Sequence, residues 1–338
     1  MTAGTVQAIL SHDNSSFTLY SGLKVGPLQQ GQTLPLLVSP TQNASIAANF
    51  EAISQLVKTQ LPLVGGILLR GFDVGGEKPF QAFTQAFGHP LLNYEFASTP
   101  RNEVEKGVYT STEYPAHQVI PLHNEQSYTL NWPMKIWFHC VQPSLEGGET
   151  PIADSREIYR QLNPEIRQRF ADKKLLYVRN YGNCLDLSWQ HAFGTDDPAT
   201  VEKFCNENHI EFEWTKDGEL RTRQICQAVA RHPYTQDMVW FNQAHLFHIS
   251  NLAPAVRESL LAIVDEPDLP RNVYYGDGSP LEEEALAEIR RVLDACRVKF
   301  LWQAGDVLML DNMLVAHGRS TFKGPRKVIV AMAEPASV

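Results

Sequence analysis

Short segments rich in β-branched and aromatic residues, each bounded by turn residues, constrain the fold of this chain most. Segments of this kind are typical of β-strands. The tripeptide Ala304-Gly305-Asp306 indicates a tight turn between two of them. The sequence therefore predicts strands at residues 66–69, 136–141, 238–241, 300–303, 307–310 and 327–332.

Apolar residues recur at helical spacing in residues 46–61, after the cap signal Asp154-Ser155, and in residues 281–296. Such stripes indicate helices that face a core. Strands and helices do not alternate as in a doubly wound sheet, and no GxGxxG or P-loop string occurs. A distorted barrel or jelly roll with helical additions fits better. No linker divides the sequence, which indicates a single domain over residues 1–338.

Charge and cysteine content narrow the class of protein. The chain has 38 acidic and 29 basic residues, a formal net charge of −9, which argues against nonspecific binding to nucleic acid or anionic lipid. The longest apolar run, residues 61–69, is far short of the roughly 20 residues that span a bilayer. No signal peptide is visible, and the dispersed cysteines indicate buried thiols in a reducing compartment. We therefore expect a cytoplasmic protein without membrane or nucleic-acid partners. The cysteines are Cys140, Cys184, Cys205, Cys226 and Cys296.

Three residues could together bind one metal ion. His123-Asn124-Glu125 is a His-x-Glu string, and on an extended strand its first and third side chains point to the same face. His317 lies far along the chain, directly after a strongly apolar strand in which an unpartnered imidazole would be costly to bury. Each feature alone is more often structural. Together they form the two-histidine, one-carboxylate set that is diagnostic of non-haem Fe(II) oxygenases.

Two further elements strengthen this interpretation. Glu146-Gly147-Gly148-Glu149-Thr150 is a Gly-Gly turn that ends on a hydroxyl, and Arg326 stands nine residues after His317. A guanidinium is the preferred bidentate partner of a carboxylate. Arg326 could therefore hold the far carboxylate of a dicarboxylic cosubstrate that chelates the iron.

These strings resemble the taurine dioxygenase superfamily of Fe(II)/2-oxoglutarate oxygenases. The resemblance rests on His123-Asn124-Glu125, on Gly147-Gly148-Glu149-Thr150, and on His317-Gly318-Arg319 followed by Phe322, Gly324 and Arg326. The spacing of 27 residues between His123 and Thr150 agrees with the family. The strings His123-Asn124-Glu125-Gln126-Ser127-Tyr128 and Trp240-Phe241-Asn242-Gln243 are most similar to the syringomycin-biosynthesis hydroxylase branch.

The resemblance implies a mainly β fold with helical additions, in which a double-stranded β-helix (a jelly-roll, cupin-like core) is flanked by helices. It implies His123, Glu125 and His317 as iron ligands and Thr150 and Arg326 as 2-oxoglutarate contacts, with O2 as the oxidant. Two departures from the family pattern matter. The acidic ligand is Glu where taurine dioxygenase has Asp, and several branches place their arginine further along the chain. Arg319 is the rival for the role of Arg326.

The sequence constrains the substrate and the residues that contact it less than it constrains the iron ligands. Gln126, Tyr128, Asn131 and Asn242 are polar candidates for contacts with the substrate. His245 and His248 have helical spacing but lack a third ligand, so we expect them, like His139, to be structural. The branch implies an amino-acid-like small molecule in specialised metabolism, such as nonribosomal peptide or antibiotic biosynthesis, either free or presented on a peptidyl carrier protein.

Several reactions stay open. The resemblance implies hydroxylation of an unactivated carbon, and Glu125 argues against halogenation because related halogenases lack the carboxylate. Desaturation or epoxidation of a free small molecule would use the same cofactors. A non-catalytic metal-binding barrel would need the three ligands but not Thr150 and Arg326. A zinc hydrolase could also use histidine and carboxylate ligands with an open coordination position.

Overall fold

The computed structural model describes residues 17–92, 102–111, 114–182 and 187–337. These residues are mainly β, with helices packed against the sheets, as the sequence predicts. In chain order the strands are β1 Thr18–Tyr20, β2 Leu23–Pro27, β3 Leu36–Pro40, β4 Gly66–Leu69, β5 Glu103–Glu105, β6 Val108–Thr110, β7 Ile120–His123, β8 Asn131–Gln142, β9 Glu146–Gly147, β10 Ile152–Asp154, β11 Leu175–Tyr181, β12 Glu211–Trp214, β13 Leu220–Cys226, β14 Val229–Arg231, β15 Met238–Trp240, β16 Arg271–Tyr275, β17 Val307–Asp311, β18 Val315–Arg319, β19 Phe322–Lys323 and β20 Lys327–Ser337.

In chain order, most of the helices connect strands that belong to different sheets. Short 3-10 turns occur at Ile249–Asn251 and Glu266–Asp268. The α-helices are α1 Phe50–Val64, α2 Glu77–Gln85, α3 Ser155–Gln161, α4 Pro164–Lys173, α5 Trp189–Phe193, α6 Pro198–Glu207, α7 Ala244–Phe247, α8 Pro254–Leu261 and α9 Glu283–Ala295. Among the described residues, no helix is long and apolar enough to cross a membrane.

A nine-stranded sheet is the largest element, with the strand order β1-β2-β3-β4-β17-β8-β20-β6-β5. Its strands are antiparallel except for the parallel pair β3 and β4. One face carries a core cluster that includes Ile53 and Leu56 of α1 and Trp137 of β8. The other face packs a second cluster, which includes Phe138 of β8, against a three-stranded sheet. The large sheet is therefore buried on both faces, which explains the nearly continuous apolar sequence of its central strands.

The three-stranded sheet has the order β10-β18-β7 and faces the large sheet. β17 belongs to the large sheet and β18 to the small one, so the short connection after Asp311 joins the two layers. A separate four-stranded sheet, β12-β13-β11-β16, packs with α3, α4 and α9 around a third cluster. The candidate site lies on the small sheet.

Five of the six predicted strands are confirmed, and the strand predicted at residues 300–303 is wrong. Phe300 and Trp302 are buried while Leu301 is exposed, so the segment shows the alternation of a half-buried strand. Its backbone instead runs into the predicted turn at Ala304-Gly305, where Asp306 accepts a hydrogen bond from the Gln303 N–H. The alternation here reflects the packing of two aromatic rings on one another, not a ladder of strand hydrogen bonds.

The three predicted helices exist with shifted ends. The first is α1, which begins at Phe50, so Ile46 lies outside it. Asp154 caps α3 by accepting hydrogen bonds from the N–H groups of Arg156 and Glu157, as its position before an apolar stripe predicts. That stripe then divides between two helices, because Pro164 begins α4. The third is α9.

Four of the cysteines are free thiols, and Cys184 lies outside the described residues.

The connection between the two layers is held by a buried carboxylate, Asp311. Its oxygens lie 3.3 Å from Lys135 Nζ and 3.2 Å from His232 Nε2. They also accept hydrogen bonds from the N–H groups of Met313 and Leu314. Burial raises the pKa of Asp311, but the attraction of Lys135 and His232 outweighs burial, and the net pKa is lowered.

We expect Asp311→Asn to lower the free energy of unfolding by about 3 kcal/mol at pH 7, since it leaves buried partners of the carboxylate without their counter-charge. A group whose pKa is lowered on folding stabilises the fold above its unfolded pKa. The deficit should therefore shrink below about pH 4. Urea unfolding at several pH values measures it. Asp172→Asn, at an exposed position, is the matched control; an equal deficit in both variants would contradict the prediction.

Candidate metal centre

The small sheet brings the two predicted histidine ligands together. In the antiparallel pairing of β18 with β7, His317 stands directly opposite His123, and a register shift follows between His317 and Arg319. The two imidazole rings are 4.6 Å apart between centroids. Phe138 of the large sheet packs on His317 with a centroid distance of 5.0 Å. Strand register therefore sets the distance between these two side chains.

Glu125 lies close to the two histidines, but its backbone conformation differs from the predicted one. The sequence predicts an extended His-x-Glu strand, but β7 ends at His123 and Glu125 lies in the turn that follows. The side chain of Asn312, which is fully buried, fixes this turn: its Oδ1 accepts from the Glu125 N–H at 2.8 Å and its Nδ2 donates to the Glu125 carbonyl at 2.9 Å. Gln126 then takes a left-handed φ of 55°. The extended geometry is thus wrong, while the grouping of the residues is right.

The ligand atoms of His123, Glu125 and His317 all lie within 4.8 Å of one another. His317 Nε2 and Glu125 Oε2 are 4.0 Å apart. His123 Nδ1 is 2.9 Å from the Pro121 carbonyl, which can only accept, so Nδ1 carries the proton and Nε2 presents its lone pair. Two imidazole nitrogens and one carboxylate oxygen at this spacing fit a divalent first-row metal and match the donor set of non-haem iron.

The Gly-Gly turn leads through Thr150 into β10, which pairs with the strand of His317. Gly147 has φ 65°, and a side chain there would come within 2.2 Å of the Thr321 carbonyl, so only glycine fits. The Gly318 N–H donates to the Pro151 carbonyl at 2.9 Å, which brings the segment after Thr150 alongside the strand of His317. Thr150 is buried, and its Oγ1 accepts a hydrogen bond of 3.1 Å from Trp302 Nε1. The hydroxyl proton of Thr150 is therefore directed away from Trp302.

Arg326 lies next to the same turn. Its Nε donates to the Gly148 carbonyl at 3.0 Å, and its Nη1 donates to Ser111 Oγ at 3.2 Å. Burial, followed by the repulsion of Arg319, lowers the pKa of Arg326 to about 10, so the side chain is still charged at neutral pH. Among the residues that the structure describes, Arg326 forms no ion pair; Glu149 attracts this half-buried cation, but less than burial and Arg319 disfavour it. Such a cation favours an anionic ligand.

Arg319, the rival candidate, has a different task. Its guanidinium donates to the carbonyls of Tyr114, Pro115 and Gln118 at 2.7–3.0 Å. It therefore holds the backbone of residues 114–118. Of the two arginines, Arg326 is the one whose guanidinium contacts the Gly-Gly turn.

The four predicted substrate contacts separate into two pairs. Gln126 and Asn131 line a cavity of about 360 Å³ that lies behind the Glu125 turn. Tyr128 lies instead in the core against Tyr177 and Phe247. Asn242 holds backbone, since its Nδ2 donates to the Ala228 carbonyl at 2.6 Å and its Oδ1 accepts from the Ala244 N–H. Neither Tyr128 nor Asn242 lines that cavity, and a contact of either residue with the substrate stays a prediction.

The remaining histidines are structural in their contacts, as expected. His245 Nε2 bonds to the Leu122 carbonyl at 2.8 Å, and burial lowers the pKa of His245 to about 4. His248 Nδ1 contacts Ser250 Oγ at 2.8 Å. His139 stacks on Phe80.

Sequence reasoning did not identify Asn312 and Trp302 as supporting residues. Asn312 positions Glu125, and Trp302 orients Thr150. For Asn312 a signal exists, because Asp311-Asn312 is a polar pair inside a long apolar stretch, where buried polar groups need partners. Trp302 lies in residues 300–303, which the sequence wrongly predicts as a strand, and that prediction does not indicate its hydrogen bond to Thr150.

Comparison with known proteins decides the family. The model of the family described as "Taurine catabolism dioxygenase TauD, TfdA family" matches residues 27–332. The chain belongs to this family.

Two relatives support the membership over nearly the whole chain. The dapdiamide synthesis protein DdaC of Enterobacter agglomerans is 40% identical over 314 residues, which cover 92% of this chain and 94% of DdaC. A clavaminate synthase-like protein of Arabidopsis thaliana is 32% identical over 327 residues, covering 90% of this chain and 95% of the relative.

Solved structures share the fold. PvcB from Pseudomonas aeruginosa superposes with a TM-score of 0.57 at 16% identity, and 94% of each chain is covered. AAD-2, solved in complex with Mn(II) and N-oxalylglycine, superposes with a TM-score of 0.53 at 13% identity, covering 93% of this chain and 98% of AAD-2.

Family membership and the metal centre together define the class of enzyme. The chain is a dioxygenase of the TauD, TfdA family that uses Fe(II) and 2-oxoglutarate, and His123, Glu125 and His317 form the candidate iron site.

Proposed function

We propose that this enzyme hydroxylates an unactivated carbon of an amino-acid-derived substrate in a biosynthetic pathway, with the substrate presented on a peptidyl carrier protein. The observation that carries the oxygenase part is the cluster of His123, Glu125 and His317, together with the pairing of the His317 strand with β10, which directly follows Thr150 and the Gly-Gly turn that Arg326 contacts. The biosynthetic part is supported by DdaC, a dapdiamide synthesis protein, and by PvcB, described as an Fe, alpha-ketoglutarate dependent oxygenase from an isonitrile synthetic pathway. Carrier presentation rests on the branch resemblance alone.

We further propose that the two facing sheets form a double-stranded β-helix within one domain. The small sheet β10-β18-β7 packs across a shared core cluster onto the central strands of the large sheet, and the β17–β18 connection joins the layers. The solved relatives of the same fold support this interpretation.

Each protein group has a defined task in the proposed reaction. His123, Glu125 and His317 would hold the iron, and the ring of His123 is oriented by the Pro121 carbonyl. Thr150 and Arg326 would hold the two ends of 2-oxoglutarate, Arg326 through charge-assisted hydrogen bonds to the far carboxylate. When bound, iron and 2-oxoglutarate supply the activation of O2 for attack on a C–H bond.

Glu125 also bears on the type of product. Its carboxylate is buried and lies among the ligand atoms, and Asn312 holds its backbone on both sides. A third protein ligand at this place leaves no vacancy of the kind that related halogenases use for chloride. Oxygen insertion into the substrate is therefore the reaction that we propose.

The non-catalytic barrel and the zinc hydrolase explain less of the site. Neither needs an arginine that is half-buried, has no ion pair among the described residues, and contacts the turn before Thr150. A site for a dicarboxylate cosubstrate explains both residues together.

Mass spectrometry of the products tests the proposal. With Fe(II), 2-oxoglutarate and air, we expect succinate release that depends on an aminoacyl substrate, and a mass gain of about 16 Da on that substrate, the mass of one inserted oxygen atom. Matched free and carrier-loaded amino acids should be compared, with the carrier-loaded form turned over faster. Reactions without 2-oxoglutarate, or under nitrogen, are the controls.

Each other product contradicts a defined part of the proposal. A loss of about 2 Da, the mass of two hydrogens, would replace hydroxylation by desaturation. Addition of the same 16 Da across a C=C bond would indicate epoxidation, which fragmentation of the product distinguishes. Equal or faster turnover of the free amino acid would overturn carrier presentation, and a chlorinated product would overturn the interpretation of Glu125.

A further inference from the structure

The strand that ends at His123, β7, lies at the edge of the small sheet. Among the described strands its one neighbour is β18, which carries His317. In an edge strand, one row of backbone groups faces away from the neighbouring strand and needs partners elsewhere. The carbonyls of Leu122 and Asn124, which flank His123 in the chain, accept hydrogen bonds from two side chains instead.

These two side chains are Gln243 and His245, which we call the brace. Gln243 Nε2 donates to the Asn124 carbonyl at 2.8 Å, and His245 Nε2 lies 2.8 Å from the Leu122 carbonyl. Because a carbonyl can only accept, His245 Nε2 carries a proton and donates it. Gln243 is 5% exposed and His245 is 2% exposed, so water does not compete for either hydrogen bond.

The brace is itself held by two other parts of the fold. The Gln243 N–H donates to the hydroxyl of Tyr177, on β11 of the four-stranded sheet, at 2.9 Å. Arg290 of α9 donates to the His245 carbonyl at 3.0 Å. Tyr177 belongs to the same core cluster as Leu122. The brace therefore connects the segment of His123 to the packed layer that contains the four-stranded sheet and α9.

The next residue of the ligand segment is held in a similar way. Asn312 bonds to both the N–H and the carbonyl of Glu125, and the Pro121 carbonyl orients the ring of His123. The carbonyls of residues 121, 122, 124 and 125 thus all accept side-chain hydrogen bonds. Backbone that is fixed at so many points directs its side chains precisely.

We propose that Gln243 and His245 are positioning residues of the metal centre. They set the place of His123 and Glu125 through the two carbonyls on either side of His123. Groups that orient metal ligands typically contribute 10–100-fold to metal affinity. This positioning role rests on the proposed assignment of His123 and Glu125 as iron ligands.

Anaerobic titration of Fe(II) into the metal-free protein measures the effect of the brace. His245→Phe keeps a buried ring and removes the donor, so the dissociation constant for Fe(II) should rise about tenfold. Gln243→Met keeps the length of the side chain and should raise the constant about threefold. The smaller effect is expected because the Asn124 carbonyl keeps a second donor, Ser127 Oγ, at 2.9 Å.

Two variants elsewhere remove a hydrogen bond of the same kind. His139 Nδ1 lies 3.1 Å from the Asp306 carbonyl, and Gln224 Nε2 donates to the Asn208 carbonyl at 2.7 Å, each from a buried side chain. His139→Phe and Gln224→Met should therefore lower the unfolding temperature about as much as the brace variants do. The dissociation constant for Fe(II) should stay unchanged in both, which separates positioning from general stability.

A conservative replacement and a second metal extend the test. His245→Gln restores a side-chain N–H donor and should recover most of the Fe(II) affinity that His245→Phe loses. The visible absorption bands of bound Co(II) depend on the geometry of its ligands. At saturating Co(II), these bands should shift in His245→Phe and should match the wild type in His139→Phe.

Failure of the brace and failure of the proposed metal centre give different results. Wild-type Fe(II) affinity in His245→Phe, an equal loss in His139→Phe, or no recovery in His245→Gln would overturn the positioning role and leave the centre in place. If His317→Ala binds Fe(II) as tightly as the wild type, the proposed centre is overturned, and the positioning role with it.

Discussion

Replacing His317 with alanine is expected to abolish succinate formation and to weaken iron binding by more than the 10–100-fold that loss of an outer partner of a metal ligand typically costs. His317 and His123 face each other across one strand pair, and Glu125 Oε2 is 4.0 Å from His317 Nε2. Removal of one imidazole leaves two ligand atoms, too few to hold the metal and direct its open positions. Anaerobic iron titration and a succinate assay measure the two effects.

His191→Ala is the matched control for this experiment. His191 lies exposed on α5, so the same chemical change there should leave iron affinity and turnover unchanged. Thermal unfolding of both variants should show that the fold survives, because His317 contributes only a small part of a large core. A His317→Ala enzyme that keeps full activity would show that His317 is not an iron ligand.

The grouping of His123, Glu125 and His317 could be predicted from the sequence because it follows from residue type and family motif. Their geometry could not. The distance between His123 and His317 depends on strand register, which no local pattern specifies. The turn at Glu125 depends on Asn312, which lies 187 residues further along the chain. A local rule for extended strands therefore gave the right grouping for a wrong reason.

Two of the four predicted substrate contacts lie outside the cavity that the other two line, for a related physical reason. Gln126, Tyr128 and Asn131 are near neighbours in sequence, but the left-handed backbone at Gln126 redirects the chain. Tyr128 consequently packs into the core while Gln126 and Asn131 line the cavity.

Arg326→Lys is expected to raise the apparent KM for 2-oxoglutarate by about 10–100-fold, with a smaller effect on kcat. Charge-assisted hydrogen bonds contribute roughly 1.5–3 kcal/mol, and lysine keeps the charge but lacks the planar fork. In the structure two nitrogens of Arg326 are engaged with Gly148 and Ser111, which orients the guanidinium beside the turn of Thr150. Lysine carries all its donors on one nitrogen and cannot reproduce the fixed spacing between Nε and Nη1 of Arg326. Initial rates at varied 2-oxoglutarate and saturating iron measure the change.

Arg319→Lys is the comparison that decides between the two arginines. Arg319 donates to three backbone carbonyls of residues 114–118, so its replacement should lower thermal stability while leaving the KM for 2-oxoglutarate nearly unchanged. The opposite pattern, a raised KM in Arg319→Lys and none in Arg326→Lys, would transfer the cosubstrate contact to Arg319. It would also mean that the charge of Arg326, which forms no ion pair among the described residues and which burial makes costly, is stabilised by something other than the far carboxylate of 2-oxoglutarate.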